Sequence, residues 1–223
     1  AAAVIAGEIV ACKHVRNACK RHVCDMERAA GDWPYRFDEA KAERICKFME
    51  KLPHVAGKWS RRDRLNPNAN RLRLEQWQIF ILCSIFGWVD KKTGHRRFRR
   101  ASIYVPRKNG KSFFSAGIGL YMLGFDNEPG AEVYCGATTE YQAFKVFTPA
   151  RLMAMRTPAM TEYAGITVNA RSLTIEGEGS RFEPVIGKPG DGASPHCAIV
   201  DEYHEHPTSE RYDTMRTGMG ARE

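Results

Sequence analysis

The chain has 223 residues, enough for one α/β domain with additions or for two small domains. A hydrophobic fraction of 43% beside 27% charged residues excludes a disordered or low-complexity chain, and no stretch approaches the roughly 18 apolar residues of a membrane span. The net charge of +8 admits an anionic partner, nucleic acid or nucleotide, without establishing one.

Seven cysteines stand at 12, 19, 24, 46, 83, 135 and 197 with no framework of paired spacings. That pattern implies reduced thiols and an intracellular, cytoplasmic setting. The opening "AAAVIAGEIVAC" carries Glu8 and no basic leader, so it makes a poor signal peptide.

From Glu8 to about Arg28, Cys12, Val15, Cys19, Val23 and Met26 recur at steps of three and four. Lys13, Arg16, Lys20 and Arg21 fill the opposite side, as expected of an amphipathic helix. His14, Cys19, His22 and Cys24 raise a zinc alternative. No CxxC is present and part of the set belongs to the apolar stripe, so a packed helix is preferred. "WPYRFDEAKAERICKFMEKLPH" reads as a turn and a helix capped by Asp38, with Phe37 stapled onto it. Ala42, Ile45, Met49 and Leu52 form its buried side.

"GKWSRRDRLNPNANRLR" is a polar, turn-rich linker. "LEQWQIFILCSIFGWV" follows as an apolar helix, and "DKKTGHRRFRR" as a basic turn entering a strand. The second half alternates: strand "ASIYV", loop "PRKNGKS", helix "SFFSAGIGLYMLGF", strand "AEVYCGAT" and helix "EYQAFKVFTPARLMAM". A hairpin within "ITVNARSLTIEGEGSRFEPVIG", the loop "KPGDGASPH" and strand "CAIVDE" complete it. Such spacing implies parallel βαβ units, with ligands beyond the carboxyl ends of the strands.

Gly110, Lys111 and Ser112 form the second half of a Walker A phosphate-binding loop, G-x-x-x-x-G-K-[ST], while Val105 stands where its first glycine belongs. A loop of this kind offers backbone N–H groups to phosphates, a lysine to the outer ones and a hydroxyl to Mg²⁺. The same triplet also arises at an ordinary helix start after a glycine turn. "CAIVDEYHEH" supplies a second, Walker B-like signal. A four-residue apolar strand delivers Asp201, suited to a magnesium shell, and Glu202, suited to polarising a water. Solvated acids after a buried strand are the plainer reading, but the two signals in this order favour an ATPase. Arg107 either lies against terminal phosphates or is a solvated loop cation. Lys108 and Asn109 shape the loop and supply backbone donors. Gln78, whose amide can both donate to and accept from an adenine edge, is a weak signal alone.

Together "LEQWQIFIL", "VPRKNGKS", "YCGATTEYQAF", "HCAIVDEYHEH" and "MRTGMGARE" resemble the large terminase subunit of tailed bacteriophages and prophages, in its HK97-like branch. The resemblance runs over most of the chain, and a "PRKNGKS" loop without its first glycine is a mark of that family. It implies an α/β P-loop NTPase of the additional-strand catalytic-glutamate type. A mostly parallel central sheet flanked by helices would follow an N-terminal helical segment, with residues 1–60 as the helical subdomain and 61–223 as the ATPase core. By the same resemblance Gln78 reads adenine, and Lys108 to Ser112 hold the nucleotide. Arg107 is the arginine sensor or finger, Ser112 and Asp201 attend Mg²⁺, and Glu202 is the catalytic glutamate. Thr138, Thr139 and Gln142 match the segment after the second core strand, with no chemistry assigned.

The implied activity is ATP hydrolysis driving double-stranded DNA into a procapsid in the bacterial cytoplasm. Partners would be DNA, the portal protein and the small terminase subunit. A homo-oligomeric ring is expected on the procapsid, with a monomer in solution left open. The family continues past this sequence into a coupling motif and a nuclease domain, so the chain reads as an N-terminal fragment without nuclease activity. Another helicase-like P-loop translocase, or a non-catalytic DNA-binding assembly module, are the alternatives.

Arg61, Arg62, Arg64, Arg71 and Arg73, with Lys91, Lys92, Arg96, Arg97, Arg99 and Arg100, could meet DNA phosphates or a neighbouring subunit's nucleotide. A solvated turn is preferred for any one of them. His204 and His206 lack HExxH spacing and read as surface residues at a helix start.

Overall fold

The computed structural model describes residues 1–61, 66, 68–185 and 193–221. Arg62 and Arg64 of the basic run, most of the "KPGDGASPH" loop and the last two residues lie outside them. Two compact units interleave along the chain: Ala1–Glu50 with Arg73–Ile103, and Lys51–Leu72 with Tyr104–Glu223. This partition differs from a single cut at residue 60.

The first unit begins with a short helix outside the expected span, α1 (Ala2–Ala6), which stops at Gly7; α2 spans Lys13–Ala29, so the helix expected from Glu8 starts five residues later. Cys19 and Asp25 are its buried residues, while Val15 and Met26 of the expected apolar stripe stay exposed. Asp25 is tolerated there because Arg97 pairs with it at 2.6 Å, with Arg28 at 3.6 Å and Arg21 at 4.0 Å from the same carboxylate. The Arg97 guanidinium lies 4.5 Å from the Trp33 ring and 4.6 Å from the Phe98 ring, with Tyr35 and Trp88 a little farther away. A planar, weakly hydrated cation suits such a box better than an ammonium would.

The zinc alternative has no geometric support among the described residues. His14 and Cys24 are exposed while Cys19 is buried, and His22 packs edge-on against Phe37, Phe80 and Trp88 while its Nδ1 accepts from the Trp88 indole.

Strand β1 (Tyr35–Phe37) precedes α3 (Glu39–Lys51), whose Lys41 amide donates to the capping Asp38 at 3.0 Å. Ala42, Ile45 and Met49 form its buried side as expected, and Leu52 beyond its end is buried too. Helix α4 (Gln76–Gly87) is followed directly by β2 (Trp88–Asp90), antiparallel to β1. The apolar run therefore changes from helix to strand at Trp88, which the pattern alone reads as continuous helix.

In the second unit, α5 (Lys111–Gly124), β3 (Glu132–Gly136) and α6 (Glu140–Met155) follow the sequence closely. Strands β4 (Thr167–Val168), β5 (Leu173–Ile175) and β6 (Ser180–Val185) form an antiparallel meander instead of one hairpin. With β7 (Cys197–Val200) they make a five-stranded sheet in the order β4-β5-β6-β3-β7, parallel at β6-β3 and β3-β7. The fold is that of a P-loop ATPase. Residues 101–106 have no sheet pairing, against the strand expected at "ASIYV". Phe182 and Phe147 meet edge-on in the core, and a side chain at Gly119 would strike the Phe182 ring within 2.6 Å. The bare backbone there lets α5 approach β6.

Candidate functional site

Two chain segments meet at the carboxyl end of the parallel strands. The first is the bend ahead of α5. Residues 107–110 are exposed, and Lys108 and Gly110 both take left-handed backbone, at φ 68° and 71°. Glycine adopts that geometry without steric cost, whereas lysine does so only under local constraint. Part of the constraint is Asn109, whose amide donates to the Pro106 carbonyl at 3.1 Å and to the Arg107 carbonyl at 3.4 Å. Asn109 thus holds the bend in shape through its side chain. Gly110 caps α5, so Lys111 and half-buried Ser112 open its first turn at the positive end of a 14-residue helix.

The second segment is the turn after β7. Asp201 is buried, and its amide donates to the Gly136 carbonyl at the end of β3. Its carboxylate accepts from the Glu202 amide at 3.0 Å. Glu202 itself is left-handed, at φ 49°, an uncommon conformation for a non-glycine residue. That kink turns the chain sharply out of the strand and into the short helical turn Tyr203–Glu205.

Lys111 joins the two segments. Its Nζ donates to Glu202 Oε1 at 2.7 Å and lies 3.4 Å from Asp201 Oδ1. The hydrogen bond from Lys111 holds the Glu202 carboxyl below its ordinary value against partial desolvation, and the charge of Arg107 acts in the same direction. Burial pulls the Lys111 ammonium down, but the Glu202 hydrogen bond and the charges of both acids outweigh it and leave the group raised. The pair is therefore ionised on both sides at neutral pH. Arg107 is exposed and acts on Glu202 through space.

A polar chain leads outward from Glu202. His204 Nδ1 is 3.6 Å from Glu202 Oε2, and its Nε2 is 4.0 Å from Glu205 Oε1. The Gln142 amide donates to Glu205, and the Thr138 hydroxyl donates to Gln142. Thr139 caps α6 by accepting from the Gln142 amide. Reading the sequence finds these residues as a segment without chemistry; Glu205 it misses, because its partner is 63 positions away. The ligand atoms of Glu202, His204 and Glu205 lie within 4.8 Å of one another, a grouping different from the Ser112 and Asp201 pair expected to attend a metal.

Gln78 lies in the other compact unit, at the start of α4. Its side-chain oxygen accepts from the Glu75 amide at 2.9 Å, and the Glu75 side chain accepts in return from the Gln78 backbone. The residue thus closes a reciprocal helix cap, a role legible in the E-x-x-Q spacing. The basic run is partly consumed inside the same unit. Arg97 sits in the aromatic box, Arg96 over Phe86, and Lys91 donates to the Gly31 carbonyl. Lys92 and Arg100 are exposed.

A family model described as "Terminase large subunit, ATPase domain" matches residues 76–223. The chain belongs to that family. The terminase large subunit of Enterobacteria phage HK97 is 31% identical over 160 residues, 68% of this chain and 30% of that protein. Protein YmfN of Escherichia coli K12 is 71% identical over 56 residues, 25% of this chain and 12% of that one. The crystal structure of the HK97 bacteriophage large terminase superposes with a TM-score of 0.65 at 25% identity, over 82% of this chain and 36% of that one. This terminase ATPase domain therefore spans about a third or less of the relatives it matches. Among its described residues, no helix is long and apolar enough to cross a membrane.

Proposed function

We propose that this domain hydrolyses Mg-ATP to drive double-stranded DNA into a procapsid. The observation that carries the reading is the 2.7 Å contact between Lys111 and Glu202, which brings a helix-N-terminal lysine against two acids from a parallel strand. The residues fit a nucleotide. An exposed bend with two left-handed residues offers backbone N–H groups at a helix N-terminus, and a lysine and two carboxylates stand beside it.

Bound Mg-ATP supplies the phosphoanhydride bond and the divalent charge that neutralises it. The Lys108 to Ser112 backbone would hold phosphate oxygens, and the Ser112 hydroxyl with the Asp201 carboxylate would hold the ion. Lys111 Nζ, moved from Glu202 to a phosphate, removes the largest cause of Glu202's lowered proton affinity. Glu202 then becomes more basic and can take a proton from, or orient, an attacking water. Arg107 stabilises the charge that develops in transfer. Adenine recognition by Gln78 would use its NH₂ group, because its oxygen already accepts from Glu75.

DNA, the portal protein and the small terminase subunit are the proposed partners, with a homo-oligomeric ring on the procapsid, in the cytoplasm of a bacterial host. Residues 1–60 would serve as a helical addition to an ATPase core over 61–223. The family membership supports the motor reading, and exposed Lys92 and Arg100 suit phosphate contacts that must tolerate any sequence.

Titration with a fluorescent ATP analogue, alongside phosphate release, tests the proposal. Wild type should bind with Mg²⁺ and hydrolyse, and Lys111→Ala should weaken binding strongly. Unchanged binding in Lys111→Ala would remove the P-loop reading.

A further inference from the structure

The first compact unit carries a feature that the ATPase reading leaves unused. Cys46 on α3 and Cys83 on α4 face each other with their sulfurs 3.9 Å apart, 37 positions apart in sequence. Both thiols are half-buried, so they are held in place yet reachable by a small reagent. We propose that Cys46 and Cys83 form a reactive dithiol, a modification site at which a low-molecular-weight disulfide is exchanged for a bond clamping α3 to α4.

Three observations converge on this pair. First, α3 fixes Cys46 from both sides in sequence: Ile45 and Met49, in the same helical turns, are fully buried. Cys83 is held equally firmly, because its neighbours Leu82 and Ser84 are buried. A bridge needs a sulfur separation of about 2.05 Å, so closure asks the two side chains for a movement of under about 2 Å, within reach of small χ adjustments. Second, the two sulfurs share a hydrogen bond in which either can donate; sharing one proton holds the Cys83 thiol down at about 7 and pushes Cys46 upward, where burial and the carboxylates of Glu50 and Glu43 push it further. A thiol that titrates near ambient pH is the better attacking partner in exchange. Third, Cys135 and Cys19 are buried, and burial pushes Cys135 up to about 12, so neither is open to a small disulfide; exposed Cys12 and Cys24 and half-buried Cys197 can take an adduct.

The chemistry closes without further reagents. The Cys83 thiolate attacks one sulfur of the small disulfide, forming a mixed disulfide and releasing one thiolate. Cys46 gives its proton to solvent, attacks Cys83 Sγ and expels the second thiolate. Two protein thiols lose two electrons in total, and the small disulfide is reduced to two thiols. The result is a covalent tie between the helix that carries Gln78 and the helix capped by Asp38. Both cysteines lie within the first compact unit, and their exchange needs no nucleotide hydrolysis.

The test treats the full chain with oxidised glutathione under native conditions, blocks free thiols with iodoacetamide and maps peptides without reduction. The expected result is a Cys46 peptide joined to a Cys83 peptide and reversed by dithiothreitol, with exposed Cys12 and Cys24 taking at most glutathione adducts. In Cys46→Ser, a glutathione adduct should persist on Cys83, because the resolving thiol is gone. In urea the pairing preference should vanish, since proximity comes from the fold. Recovery of Cys83 fully alkylated, adducts on both cysteines without a bridge, or the same pairing in urea would each overturn the proposal.

Discussion

Replacing Glu202 by glutamine should tighten nucleotide binding while removing hydrolysis. Lys111 now spends its ammonium on Glu202 at 2.7 Å and on Asp201 at 3.4 Å, so a phosphate must compete for it. A hydrogen bond between charged groups contributes about 1.5–3 kcal/mol. Here the lysine side chain is 31% exposed and that of Glu202 28%, so solvent screening reduces the figure to about 1 kcal/mol. Glutamine keeps the shape and a neutral acceptor but loses the charge. About 1 kcal/mol released to the bound state corresponds to a dissociation constant about fivefold lower. The loss of a negative charge beside the phosphates acts in the same direction. Hydrolysis should fall by about 10²-fold or more, because a neutral amide cannot take the proton. Titration of both proteins with a fluorescent ATP analogue at one salt and Mg²⁺ concentration, with phosphate release in parallel, reads both effects. Weaker or equal binding in Glu202→Gln would refute the competition between acid and phosphate for Lys111, and retained turnover would refute the role of Glu202.

Four further outcomes follow from the same geometry. Lys111→Met should cost the nucleotide-free protein about 1–2 kcal/mol at pH 7, because it leaves two adjacent acids without a counter-charge. Glu202's lowered pKa makes that contribution complete above its ordinary 4.5 and lost as pH falls through the lower folded value; Lys111's raised pKa keeps it complete below its ordinary 10.5 and lost as pH rises through the higher folded one. Urea midpoints across pH 3–8 should therefore converge at the acid end, and a pH-independent gap would contradict the pairing. Arg107→Ala should depress hydrolysis more than nucleotide affinity, an equal loss in both counting against a transition-state role. Gln142→Ala frees Glu205 from its bond and should lower turnover up to about tenfold with nucleotide affinity unmoved, which separates positioning from binding. Arg97→Ala should destabilise the first unit by about 2 kcal/mol, as it strips the nearest partner from buried Asp25 and leaves it Arg28 at 3.6 Å and Arg21 at 4.0 Å, while Lys92→Ala should change the urea midpoint little.

What the sequence discloses depends on whether the deciding partner is local. Helix α5 begins at a glycine that can turn left-handed and α6 at a threonine that caps, and both starts are visible within four residues. β7 reads as a strand from its four apolar residues. The Trp88 switch from helix to strand is not visible, because what pulls those residues out of the helix is β1, whose Tyr35 pairs with Asp90 far along the chain. Strand propensity at 101–105 is equally real, but a ladder needs a neighbour and the pattern cannot supply one. Charge is the least legible quantity. Among eleven basic residues flanking α4, nothing in composition distinguishes Arg97, locked between Asp25 and four rings, from Arg100, left in solvent.

The candidate site is legible for a different reason. Each half carries its chemistry in a short contiguous motif, so only their meeting had to be supplied by the fold. Parallel pairing of β7 beside β3 places Asp201 within hydrogen-bond reach of Gly136, at the strand ends where α5 also starts. The left-handed kink at Glu202 then sets its carboxylate against Lys111. A non-glycine residue held there needs its surroundings to over-determine it, and the Asp201 carboxylate, the Lys111 ammonium and the His204 ring together do so. If Lys111 withdraws, one of those three restraints is lost at the moment the carboxylate becomes basic. Strain and proton affinity at Glu202 thus share one contributor, the Lys111 ammonium. Under the proposed function, that coupling would pass the state of the loop to the turn that follows β7.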